Sequence, residues 1–153
     1  MIQQRIVEAL PYGAGFLFVD EITEVSEAGI TGSFEFRKEL PWYQDHFPNH
    51  PVTPGVLLIE CMAQIGLVSL GLYLIEKEKP GSIEGKSTSD GPSFLLSESN
   101  VLFSNPVFPG NKVIVQSTKK YWRLGKLKCH VVMKDANGTL IASGTLSGMR
   151  LAN

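Results

Sequence analysis

The chain has little cysteine and no excess of charge of either sign. Its 153 residues include two cysteines, and 14 basic against 15 acidic residues leave a formal net charge of −1. Such a balance leaves no excess of positive charge to attract nucleic acid or an anionic membrane surface, so we expect neither partner. Cys61 and Cys129 have no patterned spacing and are expected to be reduced residues of the core or of a strand face. Neither metal-ligand spacing nor a nucleotide-binding loop is found, so we expect no cofactor and no metal.

A targeting segment is also missing from the first residues. Residues 1–13 predict a short amphipathic helix that contains Arg5 and Glu8, without the apolar stretch and small-residue cleavage site of a signal peptide. We therefore expect a cytoplasmic protein. The length, with 43% hydrophobic and 19% charged residues, is typical of one globular domain, here residues 1–153.

The remaining pattern predicts an α+β fold. Residues 16–37 predict a hairpin around Gly29, and four further strands are predicted at 93–103, 112–122, 126–134 and 139–149. Residues 56–75 predict one long apolar helix, which an antiparallel sheet would wrap. The polar stretch 76–92 has Ile83 as its one large aliphatic residue. We expect it to be a mobile surface loop without a catalytic part.

The long apolar segment, residues 56–75, has the length of a membrane span, about 30 Å as a helix. Glu60 and Gln64 lie four residues apart on one of its faces, where a bilayer makes a charge costly. The amphipathic strands also need an apolar surface on which to pack. The pattern therefore favours a buried helix over a membrane span.

Glu60 is either a structural carboxylate with a paired neighbour or a catalytic acid. The preceding stretch HFPNHPVTPG places His46 on a loop before the helix and a Pro-Gly pair at the helix start. A histidine, a helix N-terminus and a shielded acid together can supply a general base, an oxyanion site and a general acid. The other two histidines are not expected to be catalytic. We expect His50 to fix the loop and His130 to lie on the solvent-exposed face of a strand.

The stretch HFPNHPVTPGVLLIECMAQIG resembles the central motif of the 3-hydroxyacyl-acyl carrier protein dehydratases of type II fatty acid synthesis. The stretches LPYGAGFLFVDEI and FSNPVFPGNKVIVQ extend the similarity over most of the chain. The resemblance implies a dimeric hot-dog fold, in which an antiparallel sheet wraps one long central helix. It also implies dehydration of 3-hydroxyacyl thioesters, carried by acyl carrier protein, to trans-2-enoyl thioesters.

The resemblance assigns roles position by position. His46 matches the catalytic histidine and Glu60 the catalytic acid. Gly55 matches the residue whose backbone N–H binds the thioester carbonyl. The next residue, Val56, is also expected to bind the substrate. Gln64, one turn after Glu60, is expected to orient the carboxyl group through a hydrogen bond. A glutamate at position 60, where related dehydratase-isomerases have aspartate, implies dehydration without isomerisation of the double bond.

The chain departs from the family pattern at several positions. Asp45 and Asn49 stand where glycine is frequent, and Tyr12 and Gly13 replace a basic pair. Two other functions remain open: a hot-dog thioesterase, in which Glu60 would activate water, and a non-catalytic acyl-binding protein. Formation of an enoyl group separates the dehydratase from the thioesterase, which releases a thiol.

Overall fold

The computed structural model describes residues 1–85 and 92–151. In chain order the elements are α1 (Ile2–Ala9), β1 (Glu21–Ser26), β2 (Gly29–Glu35), α2 (Gly55–Ala63), α3 (Ser69–Glu78), β3 (Phe94–Phe103), β4 (Lys112–Arg123), β5 (Lys126–Asp135) and β6 (Leu140–Arg150). A π-helical turn, Gln64–Val68, joins α2 to α3, so that Gly55–Glu78 forms one central helix. Short 3₁₀ turns cover Ala14–Phe16 and Pro41–Gln44.

The six strands form one antiparallel sheet in the order β1-β2-β4-β5-β6-β3. Strand β5 shows how the sequence selects its faces, because His130 is exposed as predicted while alternate residues are buried: Leu127, Cys129, Val131 and Met133. The turn into β6 is held by the Asp135 carboxylate, which accepts the N–H groups of Asn137 and Thr139. The predictions of strands β3 to β6 are confirmed to within one residue at each end.

The central helix is covered by the inner face of this sheet. It is the one helix, among residues 1–85 and 92–151, that is long and apolar enough to cross a membrane, with a mean hydropathy of 1.9, yet 72% of that stretch is buried. Helix and sheet approach closely: a side chain at Gly71 would collide with the ring of Phe94. The predicted α+β hot-dog arrangement, a buried helix wrapped by an antiparallel sheet, is confirmed.

Strand β1 begins later than expected. The predicted hairpin started at residue 16, but the first strand starts at Glu21. Asp20 N–H still donates to the Ser33 carbonyl of β2, but Phe18 N–H donates to the side chain of Gln64 in the central helix instead of to a neighbouring strand. A side chain in the centre of the molecule therefore replaces the ladder hydrogen bond that the alternating pattern predicted.

The end of the central helix also differs from the expectation. The helix continues past Ile75 to Glu78, because its acidic residues find partners on other elements. Glu76 Oε1 accepts from the Arg5 guanidinium at 2.6 Å, and Glu78 Oε1 accepts from Trp122 Nε1 at 2.6 Å. Ile83, the one large aliphatic residue of the predicted loop, is only 3% exposed and so anchors the first part of that loop to the core. The later part, residues 86–91, lies outside the described residues.

The carboxylate of Glu76 joins α1, the central helix and the turn that follows. Besides Arg5 it accepts the N–H groups of Gly81 at 2.9 Å and of Ile83 at 3.1 Å. Burial alone would raise the pKa of Glu76, but the two backbone donors and the Arg5 guanidinium together lower it below its ordinary value. The ionised form therefore stabilises the fold.

We expect Glu76→Gln to lower the free energy of unfolding by about 1–3 kcal/mol at pH 7, because an amide loses the charge-assisted bonds. The folded-state pKa is depressed, so the contribution is present above the unfolded value of about 4.3 and is lost as the pH falls through the folded value. Urea unfolding at pH 7 and near pH 3 measures both. Glu84→Gln, on the exposed surface of the same turn, is the control. Equal losses in the two variants would contradict the role of Glu76.

Candidate active site

The loop before the central helix holds His46 in one orientation. The backbone N–H groups of Asp45 and His46 both donate to the carbonyl of Trp42, at 3.0 and 2.9 Å. Val52 then bonds to His46 twice, since Val52 N–H donates to the His46 carbonyl at 2.9 Å and the Val52 carbonyl lies 2.7 Å from His46 Nδ1. A carbonyl oxygen can only accept, so Nδ1 carries the proton and the lone pair of the neutral imidazole is on Nε2.

Two further contacts fix the end of this loop. Thr53 N–H donates to the carbonyl of Val107 at 2.9 Å, and the Thr53 hydroxyl shares a hydrogen bond with that of Tyr43. Thr53 and Tyr43 are both buried. The direction in which the chain enters the helix is therefore set by packing, and not by the loop alone.

The first turn of the central helix presents backbone donors. Leu57 N–H and Leu58 N–H both donate to the carbonyl of Pro54, at 3.0 and 3.2 Å. In the described part of the chain, the N–H groups of Gly55 and Val56 have no acceptor. The space beside them is narrow, because a Cβ at Gly55 would lie 3.3 Å from the ring of Phe103. Two N–H groups at the positive end of a helix dipole form a site for an oxygen with developing negative charge.

The Glu60 carboxyl is oriented by Gln64, as predicted. Gln64 Nε2 donates to Glu60 Oε1 and to the carbonyl of Phe16, both at 2.9 Å. Gln64 Oε1 accepts the N–H of Phe18 at 2.7 Å. A backbone N–H can only donate and a carbonyl can only accept, so the amide has a single orientation. Because Oε1 of Glu60 faces a donor, the proton of the acid form is on Oε2.

The two histidines of this loop, His46 and His50, have different surroundings. His46 is half-buried and its ring stacks on that of Phe47, with 4.2 Å between centroids. His50 fixes the loop through its backbone, which exchanges two hydrogen bonds with Phe47, while its side chain is exposed. Within residues 1–85 and 92–151, no hydrogen bond joins the side chains of His46 and Glu60. The two candidate catalytic groups are thus held by separate sets of contacts.

The geometry can be compared with known proteins. A model of the FabA-like domain matches residues 10–145. The chain belongs to the FabA-like family. It is 34% identical over 143 residues to a 3-hydroxyacyl-[acyl-carrier-protein] dehydratase of Streptococcus mutans, a match that covers 94% of this chain and 93% of the relative. A relative of the same description from Thermus thermophilus is 33% identical over 144 residues, with 94% and 93% covered.

Solved structures share the fold at low sequence identity. The dehydratase heterocomplex ApeI:P of Xenorhabdus doucetiae is similar with a TM-score of 0.76 and 16% identity, covering 97% of this chain and 91% of that one. A hypothetical thioesterase of Streptococcus pneumoniae, solved with coenzyme A, has a TM-score of 0.58 and 10% identity, covering 87% and 86%. At these identities the likeness concerns the FabA-like fold and leaves the reaction open.

Sequence reasoning noted Tyr12 only as a departure from the family pattern, but in the structure Tyr12 is partly buried and lies within electrostatic range of Glu60. Its ring lies 6.4 Å from that of Phe16, whose carbonyl binds Gln64. Burial and then the negative charge of Glu60 raise the pKa of Tyr12 above its ordinary value. The hydroxyl therefore stays protonated and is a potential donor near Glu60. The sequence feature that could have drawn attention to Tyr12 was its position, with Gly13, where the family pattern has a basic pair.

We expect Gln64→Glu to lower the free energy of unfolding by about 2–5 kcal/mol at pH 7. The change replaces the donor Nε2 by an acceptor oxygen, which would face the Phe16 carbonyl and the Glu60 carboxyl without a proton between them. Gln116→Glu makes the same chemical change on the exposed face of β4 and should cost less than about 0.5 kcal/mol. Urea denaturation of both variants is the measurement, and a Gln64→Glu protein as stable as its control would rule out this hydrogen-bond network.

Proposed function

We propose that this FabA-like protein dehydrates 3-hydroxyacyl thioesters, carried by acyl carrier protein, to trans-2-enoyl thioesters in fatty acid biosynthesis. The observation that carries the proposal is the fixed tautomer of His46: its Nδ1 is committed to the Val52 carbonyl, which leaves Nε2 free as a base. The curated relatives, described as dehydratases of this kind over nearly their full length, agree.

In the first step, His46 Nε2 takes a proton from C2 of the substrate. A neutral imidazole with a free ring nitrogen can act as a general base toward the carbon next to a thioester carbonyl. The hydrogen bond from Nδ1 to the Val52 carbonyl stabilises the imidazolium that results. His46 is the general base.

The electron pair from the C2–H bond moves toward the thioester carbonyl, whose oxygen gains negative charge. The free N–H groups of Gly55 and Val56 at the helix start are placed to bind that oxygen. Loss of a donor of this kind typically slows an enzyme by about 10²- to 10³-fold. Val56 is exposed, so substrate can reach this end of the helix.

Departure of the 3-hydroxyl group requires a proton. Glu60 Oε2 supplies it, the C3–O bond breaks, and the electron pair forms the C2=C3 double bond while water leaves. The proton from Glu60 leaves with the water, and His46 keeps the proton from C2. Transfer of one proton from His46 to Glu60 through solvent restores the enzyme. The reaction balances without a cofactor.

We propose further that a second copy of the chain completes the site. Strand β3 is an edge of the sheet, and an open edge favours pairing with another strand. It exposes four large apolar residues: Leu95, Leu96, Leu102 and Phe103. The Phe103 ring also packs at Gly55, so this apolar edge is continuous with the start of the central helix. As the family resemblance implies, we propose that a dimer covering this edge combines the His46 loop of one protomer with the Glu60 of its partner.

The competing thioesterase reaction predicts a different product. Glu60 would then activate water against the thioester carbonyl, and the thiol of the carrier would be released. One assay of a 3-hydroxyacyl carrier substrate distinguishes the two, because enoyl absorbance rises in the dehydratase reaction while a thiol reagent detects the thioesterase reaction. Release of thiol without enoyl product would overturn the proposed function.

We expect Glu60→Gln to reduce turnover by about 10²-fold or more with the fold intact, because the amide is nearly isosteric but has no acidic proton. Enoyl absorbance measures turnover, and circular dichroism checks the fold. Glu84→Gln, an exposed position, is the matched control and should keep full activity. Near-normal turnover of a folded Glu60→Gln protein would exclude Glu60 as the acid.

Mixing His46→Ala chains with Glu60→Gln chains tests the shared site. If subunits exchange at random, roughly half of the dimers are mixed, and each mixed dimer holds one site with neither change. Activity should rise from near zero toward roughly a quarter of wild type. Native mass spectrometry confirms exchange. A mixture that exchanges and stays inactive would mean that both groups of one site come from the same chain.

A further inference from the structure

Three polar side chains are enclosed where the central helix meets the sheet. Gln64, Ser69 and Ser117 are all buried among apolar residues. Burial of such groups costs about 1–3 kcal/mol unless each finds a hydrogen-bond partner. The serine hydroxyls bond to carbonyls of the π-helical turn Gln64–Val68, which begins at Gln64 itself. The polar cluster and the irregular turn thus coincide.

Ser69 closes the π-helical turn. Its backbone N–H donates to the carbonyl of Gln64, the hydrogen bond that defines a π turn, and its Oγ donates to the same carbonyl at 2.7 Å. Such turns are rare and occur mostly as single insertions in α-helices, frequently at functional sites. The second bond from Ser69 therefore adds to the backbone hydrogen bond that closes the turn.

Ser117 holds the same turn from the sheet. Its Oγ donates to the carbonyl of Gly66 at 2.7 Å. The helix can come this close because residue 66 has no side chain: a Cβ there would lie 3.0 Å from Val131 Cγ1 and 3.1 Å from Ser117 Cβ. The short serine side chain on β4 therefore reaches a helix carbonyl across a glycine.

The turn sets the direction of the acid. An inserted residue rotates one half of the helix against the other by roughly 100°, the angle per residue of an α-helix. The second half, α3, packs closely on the sheet, since a side chain at Gly71 would collide with Phe94. Loss of the insertion would therefore turn the first half, which carries Gln64 and Glu60, away from the Phe16 and Phe18 backbone groups.

We propose that Ser69 and Ser117 are positioning residues of the reaction: their hydroxyls hold the π-helical turn in the register that places the Gln64 amide against Glu60. The proposal rests on the proposed function, in which Glu60 is the acid. Neither serine touches substrate. Both serines donate hydrogen bonds to carbonyls of the turn. The turn then sets the position of the Gln64 amide, which donates to Glu60.

The test replaces each hydroxyl and measures kinetics and one spectroscopic signal. We expect Ser69→Ala and Ser117→Ala to lower kcat about tenfold with KM within about twofold, because only the proton transfer in the transition state is affected. Ser117→Cys, which keeps a weak donor, should retain more activity than Ser117→Ala. Ser147→Ala is the control, since the Ser147 hydroxyl is equally buried and has no partner among the described residues. It should leave kcat unchanged.

The side-chain amide of Gln64 reports the turn independently of activity. Its ¹⁵N-edited signal, assigned by its absence in Gln64→Glu, should shift in Ser69→Ala and Ser117→Ala and stay in place in Ser147→Ala. An unshifted signal in both folded variants would overturn the proposal even if the dehydratase activity is confirmed. A shifted signal together with a fully active Glu60→Gln enzyme would instead overturn the proposed function and leave the structural link intact.

A double-mutant cycle separates positioning from plain destabilisation. If the serines act through Glu60, Ser69→Ala should cost little further in the Glu60→Gln background. An equal loss of kcat in both backgrounds would show a general effect on the fold and overturn the proposal. Circular dichroism checks each variant, and where one serine variant fails to fold, the other and Ser117→Cys decide.

Discussion

The hydrogen bonds of one buried amide join the parts of this molecule that have to act together. Gln64 connects the segment before β1, the central helix and the Glu60 carboxyl, and it does so inside an otherwise apolar helix. A buried amide is tolerated only when its donors and acceptor are satisfied, which fixes the position of every partner. The late start of β1 and the orientation of Glu60 both follow from this requirement.

The proposed base, His46, is held in place by different contacts. His46 depends on backbone groups of its own loop, above all on the Val52 carbonyl, and the loop depends on Thr53 for its attachment to the rest of the chain. The proposed base and the proposed acid are therefore held by two separate sets of hydrogen bonds. A site built from two groups held in this way can be completed by a second protomer without a rearrangement of either one, which is consistent with the shared site that we propose.

Sequence reasoning was most accurate where periodicity decides. The alternation in β5 and the long apolar run of the helix predicted a buried helix under an antiparallel sheet, and both are found. Sequence reasoning failed where contacts with residues far away in the chain decide where an element ends or which side chain is buried. The helix reaches Glu78 because Arg5 and Trp122 bind its last acidic residues, and Ile83 is buried because the Glu76 carboxylate holds its backbone N–H. No local pattern contains these contacts.

The candidate site shows the same division. The sequence by itself determined the types of group, a histidine on a loop, a helix start with Pro-Gly and an acid with an amide one turn later, since these follow from short motifs and helical spacing. Only the tertiary structure decided which nitrogen of His46 carries the proton and which oxygen of Glu60 faces the Gln64 amide. It also decided that the helix carries a π-helical turn at Gln64. The reason is physical: proton positions and helix register depend on hydrogen bonds from residues far away in the chain, and these exist only once the sheet has closed around the helix.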